Sequence, residues 1–441
     1  MIIARKLPLL SAAAPDAPIA CWRERIVSRA AFLRQVARVA RQLPPARFIL
    51  NLCEDRYRFM IAFAAVGING QTSLLPSSRA ALHVRQLAED YPGSAQINDE
   101  DLERWLALDA PDDTLLATPE LPGDHVMAIA FTSGSTGRAK PNPKRWSELI
   151  SGARQARRRF GFSAGLTVVA TVPPQHMYGL ETSIMAPLAS GVCVHAGRPF
   201  FPEDVRAALH DAPPRRALVT TPIHLQACVR AGLRWPDIAW IISATAPLSP
   251  ELAAQAEQAF NAPVLEIYGC TEAGSIASRR TLDGNRWRLY DGFQLEGDSF
   301  LTGAHLPEPT LLNDVIETCG EDEFRLLGRS GDLVNIAGKR SSLAYLNHQL
   351  SQIEGVMEGA FILPDGADDG TGRLAAVVVA SGLSERQLLA ALAERLDPVF
   401  LPRPLIKVEA LPRNETGKLT RDALLALIQP TRFATERADA R

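Results

Sequence analysis

Short apolar runs alternate with helix-like segments through the first 270 residues, and this alternation most constrains the fold. Residues 48–53 have the pattern of a buried strand, 57–66 have a helical pattern, and 72–76 look like another strand. Five further apolar runs each end in a polar, glycine or proline turn: 126–131, 166–172, 216–220, 239–242 and 264–268. This spacing predicts an α/β fold of mostly parallel sheets covered by helices. Ligands of such sheets bind beyond the carboxyl ends of the strands, so function is expected in those turns.

The order of helical and strand patterns changes near residue 328. A glycine-containing polar stretch at 328–332 is followed by a helix-like segment, a strand pattern at 374–379 and a helical pattern at 385–396. A chain of 441 residues also exceeds what one hydrophobic core usually supports. We therefore expect a large N-terminal domain over residues 1–329 and a small α+β C-terminal domain over residues 330–441.

Composition excludes several classes of function. The chain is 46% hydrophobic and 22% charged, as globular proteins are, and its net charge is -2. Nucleic-acid binding would need a basic excess, which is absent, and no run of eighteen uncharged apolar residues predicts a membrane span. The six cysteines lie far apart in the sequence, so they do not form a zinc or redox motif. A reducing, cytoplasmic setting fits this composition best.

The loop after the strand at 126–131 concentrates groups that bind phosphate. Its sequence is Thr132-Ser-Gly-Ser-Thr-Gly-Arg-Ala-Lys140, with four hydroxyl side chains, two glycines and a lysine. Backbone N–H groups, hydroxyls and one cation can together wrap a polyphosphate. The loop is not the common nucleoside-triphosphatase motif, because Gly134 and Gly137 are three residues apart and no Gly-Lys-Ser/Thr follows. Such a loop is either a phosphate site or a plain linker, and its context decides between them.

Four more motifs follow the loop in a fixed order: Tyr268-Gly-Cys-Thr-Glu272, Asn313-Asp314, Gly328-Arg329 with Gly338-Lys-Arg340, and Pro412-Arg-Asn-Glu-Thr-Gly-Lys418. The ordered set resembles the signature of the AMP-forming adenylating enzymes, which include acyl-CoA synthetases, aryl acid ligases, peptide-synthetase adenylation domains and luciferases. The resemblance covers roughly residues 20–428. It implies that ATP and Mg²⁺ activate a carboxylic acid to an acyl adenylate with release of pyrophosphate. The acyl group would then pass to the thiol of coenzyme A or of a phosphopantetheinyl carrier protein.

The resemblance implies phosphate and metal ligands in the first two motifs. The loop would hold the β- and γ-phosphates through the following residues: Thr132, Ser133, Gly134, Ser135, Thr136, Gly137 and Lys140. Tyr268 would face the adenine, Thr271 would bind the α-phosphate, and Gly269 belongs to the same nucleotide-binding set. Glu272 and Thr136 would be the Mg²⁺ ligands, since Mg²⁺ prefers oxygen ligands alongside phosphates.

Later motifs would hold the ribose and line the acyl site. Asp314 would bind the ribose hydroxyls and Arg329 would share that role, although Asn313 replaces the glycine that normally precedes this aspartate. The turn at 243–248 would line the nucleotide and acyl pocket through a short run of residues: Thr245, Ala246 and Pro247. Relatives usually carry glycines where this chain has Ala244 and Thr245.

The resemblance also implies the catalytic groups, which are Lys418, Thr136, Glu272 and His176. Lys418 would bridge the substrate carboxylate and the α-phosphate, neutralising charge as the two anions approach. His176 would wall the acyl site and screen the thiol tunnel. The small domain would swing about a hinge at Gly331 between the two half-reactions, and glycine absorbs such a dihedral change easily.

The favoured substrate is an aromatic, hydroxybenzoate-like acid. A histidine followed by a small or polar residue and then tyrosine is common at this place in aryl acid ligases, where this chain has His176-Met-Tyr178, and an aspartate to pair with a substrate amine is not evident. A medium-chain or fatty acid is one alternative. An inactive ATP- or acyl-binding scaffold is another, but Glu272 and Lys418 are both present. The sequence does not separate coenzyme A from a carrier protein as the acceptor.

Overall fold

The computed structural model describes eleven segments of the chain: residues 5–23, 25–108, 117–133, 139–297, 300–303, 305–312, 314–329, 333–336, 339–364, 373–414 and 419–435. The chain divides into two compact units. The first comprises residues 1–294, 301–310 and 320–323, and the second comprises 295–300, 311–319 and 324–441. The boundary expected between residues 329 and 330 stays a prediction.

Strands in chain order are β1 (Lys6–Pro8), β2 (Pro18–Trp22), β3 (Arg25–Ser28), β4 (Phe48–Asn51), β5 (Thr72–Leu75), β6 (Ala95–Ile97), β7 (Glu120–Pro122), β8 (Val126–Ser133), β9 (Ala139–Arg145), β10 (Thr167–Ala170), β11 (Cys193–His195), β12 (Arg216–Thr220), β13 (Ile241–Ser243), β14 (Val264–Cys270), β15 (Gly274–Arg280), β16 (Arg286–Leu289), β17 (Phe293–Glu296), β18 (Phe300–Gly303), β19 (Thr310–Leu311), β20 (Asp314–Thr318), β21 (Glu323–Arg329), β22 (Leu333–Ile336), β23 (Lys339–Ser342), β24 (Glu358–Ile362), β25 (Ala375–Val379) and β26 (Leu405–Lys407).

Helices in chain order are α1 (Arg29–Gln42), α2 (Arg56–Ile68), α3 (Ala81–Asp90), α4 (Asp99–Leu106), α5 (Trp146–Phe160), α6 (Met177–Leu180), α7 (Ala186–Ser190), α8 (Pro202–Asp211), α9 (Pro222–Arg230), α10 (Pro250–Phe260), α11 (Leu343–Ser351), α12 (Glu385–Ala393) and α13 (Arg421–Thr435). A π-helical segment, Glu181–Met185, joins α6 to α7. Within the residues that the structure describes, no helix combines the length and the apolar character that crossing a membrane requires.

Two sheets organise the first unit. One runs in the order β6-β4-β5-β8-β9, in which β9 returns antiparallel to β8 and the other pairs are parallel. The other runs β16-β15-β14-β13-β12-β10-β11-β2-β3, with a parallel core from β14 to β2 and antiparallel pairs at both sides. The predicted α/β class, with mostly parallel sheets, is confirmed.

Helix α2 is the packing centre of the first unit. From Phe59 to Gly67 its residues are apolar on every face and all are buried, as in a helix that lies within a core. It contacts β4 and β5 of one sheet, β11 of the other, and α1. The cap of α1 is Ser28, whose hydroxyl accepts from the N–H of Ala31. Both sheets of this unit therefore pack against one buried helix.

The second unit has a mixed α+β character. Strands β24, β25 and β26 form one sheet, and their apolar side chains pack in two clusters with α11, α12 and α13. The strand and helix expected at 374–379 and 385–396 correspond to β25 and α12. Two hairpins, β20–β21 and β22–β23, precede this sheet in the chain.

Candidate functional site

The carboxyl ends of β10, β12 and β13 meet at one edge of the larger sheet. Thr171, directly after β10, lies with its hydroxyl 3.0 Å from that of Thr220 at the end of β12. The hydroxyl of Tyr178 lies 3.1 Å from the carbonyl of Thr220 and 3.0 Å from the carbonyl of Ile242 in β13. These bonds fix the segment that follows His176 across the ends of two strands. The loop expected to wall an acyl site therefore lies where ligands of parallel sheets bind.

A buried arginine holds the end of β10 in place. The guanidinium of Arg56 is fully buried and donates to the carbonyls of Ala170, at 2.9 Å, and Val172, at 2.7 Å, as well as to the hydroxyl of Ser183. Burial lowers the pKa of Arg56 to about 9. Its three acceptors come from two segments of the chain. Because Arg56 is the first residue of α2, these bonds attach the carboxyl end of β10 to that helix.

His176 precedes α6 at the same edge. Its side chain is half-buried, and the neighbouring Gln175 is buried and accepts from Arg79 at 3.2 Å. The π-helical segment that follows α6 begins at Glu181, and such segments are frequent at functional sites. The structure places His176 beside the strand ends, while its role in the acyl site stays a prediction.

The turn at 244–248 has an unusual backbone. Thr245 has a φ of 81°, in the region that favours glycine, and a β-branched residue there carries strain. The end of the turn is held by Glu266, whose carboxylate accepts from the N–H of Leu248 at 3.1 Å. The same buried carboxylate accepts from Arg279 at 2.6 Å and from Thr281 at 2.8 Å. This network keeps Ala246 and Pro247 in a fixed position beside the strand ends.

Strand β14 carries the Tyr268–Glu272 motif into a hairpin with β15. Gly269 is required there, because a Cβ at this position would lie 2.3 Å from the carbonyl oxygen of Gly274. The register of the hairpin shifts between Tyr268 and Gly269. The half-buried ring of Tyr268 lies 5.7 Å from that of Trp287, centroid to centroid. The motif thus ends in a tight turn that presents Thr271 and Glu272 with partly exposed side chains.

Two buried charged residues contact this turn. Lys144, on β9, donates its ammonium to the carbonyl of Glu272. Glu181 accepts from the backbone N–H of Ser275 at 3.1 Å and from its hydroxyl. Burial lowers the pKa of Lys144, while burial raises the pKa of Glu181. A cavity of about 270 Å³ lies against the turn and is lined by Lys144, Glu181 and Glu272 among other residues.

Strands β8 and β9 bring the two ends of the expected phosphate loop together. Thr132 pairs with Lys140 and Ser133 with Ala139, and Lys140 is exposed. Residues 134–138 lie outside the described part of the chain, and they include four of the predicted phosphate ligands: Gly134, Ser135, Thr136 and Gly137. The side chains of Thr132 and Ser133 are also outside it. The hairpin is therefore described up to the loop, and the ligands within the loop stay predictions.

Comparison with known proteins assigns the chain to a family. The sequence profile described as "AMP-binding enzyme" matches residues 45–297, more than half of the chain. The chain belongs to the AMP-binding enzyme family. The predicted enzyme class, an AMP-forming acid–thiol ligase that uses ATP, is confirmed at this level.

Individual relatives of this AMP-binding enzyme are CoA ligases. It is 29% identical over 298 residues to a 4-coumarate–CoA ligase of Rhodobacter capsulatus, covering 66% of this chain and 74% of that protein. It is 23% identical over 332 residues to a 2-succinylbenzoate–CoA ligase of Staphylococcus epidermidis, covering 68% and 69%. Its fold matches that of the o-succinylbenzoate CoA synthetase of Bacillus subtilis in complex with an acyl-adenylate intermediate, with a TM-score of 0.80, 17% identity and coverage of 93% and 95%.

The predicted ribose pair of the AMP-binding enzyme lies in the second unit. In the backbone register of the β20–β21 hairpin, Asp314 stands opposite Arg329. Two residues fifteen positions apart in the sequence are therefore neighbours on adjacent strands. Asn313 and Gly331 lie outside the described residues. Lys418 does too; Arg413 and Leu419, which are described, form an isolated β-bridge. The roles of Asp314, Arg329 and Lys418 stay predictions.

Sequence reasoning missed several groups that the structure brings to these turns: Arg56, Lys144, Glu181 and Glu266. The available signal was a charged residue inside an otherwise apolar segment, as for Glu181 within 177–189. Charged residues are rarely buried unless they are paired, so such a position was a candidate for a structured contact. Their partners lie up to 128 residues away in the sequence, which no local pattern predicts.

Proposed function

We propose that this AMP-binding enzyme activates an aromatic carboxylic acid with ATP and Mg²⁺ and then transfers the acyl group to a thiol. The first half-reaction forms an acyl adenylate and pyrophosphate. The second passes the acyl group to coenzyme A or to a phosphopantetheinyl carrier protein. The observation that carries the proposal is the contact between Lys144 and Glu272, because β9, which leaves the phosphate loop, and the Glu272 turn are thereby joined within one compact unit.

Each predicted residue has a role that its chemistry supports. The loop from Thr132 to Lys140 would wrap the β- and γ-phosphates, and Tyr268 would cover one face of the adenine. Glu272 and Thr136 would hold Mg²⁺, which neutralises phosphate charge when bound. Within the described residues no group of three or more His, Cys, Asp or Glu side chains is placed to hold a metal ion. Mg²⁺ bound with a nucleotide takes most of its ligands from phosphates and water, so one carboxylate and one hydroxyl from the protein would suit it.

Lys418 would supply positive charge between the substrate carboxylate and the α-phosphate. Preorganised charge of this kind stabilises a transition state in which two anions are brought together. Because Lys418 lies in the predicted small domain and the phosphate loop in the large one, adenylation would need the two domains closed. Thiol transfer would follow a rearrangement about Gly331.

The names of the relatives support the aromatic substrate and the acceptor. Two of them act on 4-coumarate and 2-succinylbenzoate, and both are CoA ligases. Tyr178 contacts the ends of β12 and β13, and His176 precedes it by two residues, so the two side chains would wall in an aromatic acid bound there. Coenzyme A is therefore the first acceptor to test, with a carrier protein as the second.

The test is acid-dependent exchange of pyrophosphate into ATP over a panel of benzoates, cinnamates and straight-chain acids. Exchange that is fastest with an aromatic acid supports the proposal, and exchange confined to straight-chain acids overturns its substrate class. A thioester assay with coenzyme A and with a phosphopantetheinyl carrier protein then identifies the acceptor. Absence of exchange with every carboxylate would overturn the proposal entirely.

A further inference from the structure

The turn that carries Glu272 is held by two charged residues outside the predicted catalytic set. Lys144 donates to the carbonyl of Glu272, and Glu181 accepts from the N–H and the hydroxyl of Ser275 three residues later. The two side chains are 5% and 8% exposed. They come from different elements, β9 and the π-helical segment, and they hold the two ends of one short turn.

We propose that Lys144 is a positioning residue for Glu272. The inference rests on the proposed function, in which Glu272 is a ligand of the Mg²⁺ that accompanies ATP. Strand β9 leaves the phosphate loop at Lys140, and Lys144 lies four residues further along it. The bond from Lys144 therefore ties the strand that bears one set of phosphate-binding groups to the turn that bears the carboxylate. It fixes the spacing between two groups that serve the same phosphates.

A purely structural role does not account for a lysine here. Burial of an ammonium costs several kcal/mol unless excellent partners repay it, and an apolar side chain of similar size is often neutral or stabilising in its place. Lys144 pairs with Ala128 of β8 in the sheet. The carboxylates of Glu148, Glu181 and Glu272 line the same cavity and attract its ammonium, but among the described contacts none lies within ion-pair distance of it. Its direct bond goes to a backbone carbonyl of the turn. A lysine at this position thus packs less favourably than an apolar side chain would, but it makes a hydrogen bond to the backbone of Glu272.

The cavity beside the turn explains why a tether is needed. About 270 Å³ of space lies against Glu272 and Ala273, so packing does not hold the turn on that side. Gly274, with a φ of 78°, leaves room for Glu181, because a Cβ there would lie 2.3 Å from its Oε1 atom. Without Lys144 the turn can relax toward the cavity while Glu181 still holds Ser275.

The experiment compares Lys144→Met with a matched control, Arg159→Met, in the full chain. Arg159 also donates to a backbone carbonyl of the same compact unit, that of Leu289, and its guanidinium lies over the ring of Tyr290 rather than bonding to the turn. Acid-dependent pyrophosphate exchange is measured over a range of Mg²⁺ concentrations, together with the KM for the acid and the melting temperature. For Lys144→Met we expect at least about a tenfold fall in exchange kcat and about a fivefold rise in the Mg²⁺ concentration for half-maximal rate. The KM for the acid should stay within about twofold, and Arg159→Met should keep the wild-type Mg²⁺ requirement.

A wild-type Mg²⁺ requirement in folded Lys144→Met overturns the inference, as does an equal shift in Arg159→Met. If Lys144→Met does not yield folded protein, Lys144→Gln decides, because its shorter side chain cannot reach the carbonyl unless the turn moves. An unchanged Mg²⁺ requirement in folded Lys144→Gln then overturns the inference. Failure of the proposed function is distinct, because it appears as absence of exchange in the wild-type enzyme with every acid.

Discussion

Replacement of Gly269 by alanine tests the geometry of the Tyr268–Glu272 turn with a single methyl group. The added Cβ would lie 2.3 Å from the carbonyl oxygen of Gly274 and 3.0 Å from the Cα of Ser275, where ordinary contacts begin at 3.4 Å. Both neighbours are backbone atoms, so the β14–β15 hairpin itself must open by about 1 Å. A displacement of that size near reacting groups typically costs about a hundredfold in rate. The overpacking should also lower the free energy of unfolding by about 1–3 kcal/mol.

The assay is kcat for acid-dependent pyrophosphate exchange, with the melting temperature measured alongside. Gly320→Ala is the matched control, because a Cβ there meets nothing within 4 Å and should leave both quantities near wild type. We expect Gly269→Ala to lose about a hundredfold in kcat. A folded Gly269→Ala enzyme with wild-type kcat would refute the reasoning that this turn positions groups for catalysis.

Three further substitutions test other parts of the account. Arg56→Met should lower the free energy of unfolding by about 3–5 kcal/mol, because it leaves buried carbonyls at the end of β10 without their donor; an unchanged urea midpoint would contradict this. Lys418→Ala should cut adenylate formation severely yet leave thioester formation from supplied acyl adenylate largely intact, and equal loss in both half-reactions would remove the proposed division of labour. Thr245→Gly should raise the melting temperature, since relief of strain at a φ of 81° outweighs the entropy cost of glycine; a lower melting temperature would show that the backbone there is not strained.

The parallel strands could be predicted from the sequence because each is a short apolar run that ends in a turn. Strand β12 occupies residues 216–220 as expected, and β5 and β14 begin where the pattern begins. Strands β5 and β12 are buried on both faces, so their composition alone identifies them. The same rule identified β25 in the second unit.

Strand β9 could not be predicted, because Pro141 and Pro143 lie within it. Proline lacks the N–H group that a central strand needs, so the pattern favours a loop. The structure resolves the conflict by placing β9 at the edge of its sheet, with β8 as its neighbour. Pro141 pairs with Phe131 and Pro143 with Ile129, so the chain continues to Lys144 as a strand.

The sequence predicted candidate site residues best where they lie close together in one motif. Tyr268, Gly269 and Glu272 follow one another in the chain, and the hairpin brings them into a single turn. The supports of that turn come from Lys144 and Glu181, on elements whose packing against it is a property of the whole fold. The sequence can indicate that such a charged residue is buried, but it does not predict which residue it contacts.

The most direct test of the central claim is the exchange of labelled pyrophosphate into ATP by the purified full chain. The account predicts exchange that requires Mg²⁺ and a carboxylic acid, is fastest with an aromatic acid, and yields AMP when coenzyme A or a carrier protein is added. Exchange absent with every acid, or ATP cleaved to ADP instead of AMP, would contradict it.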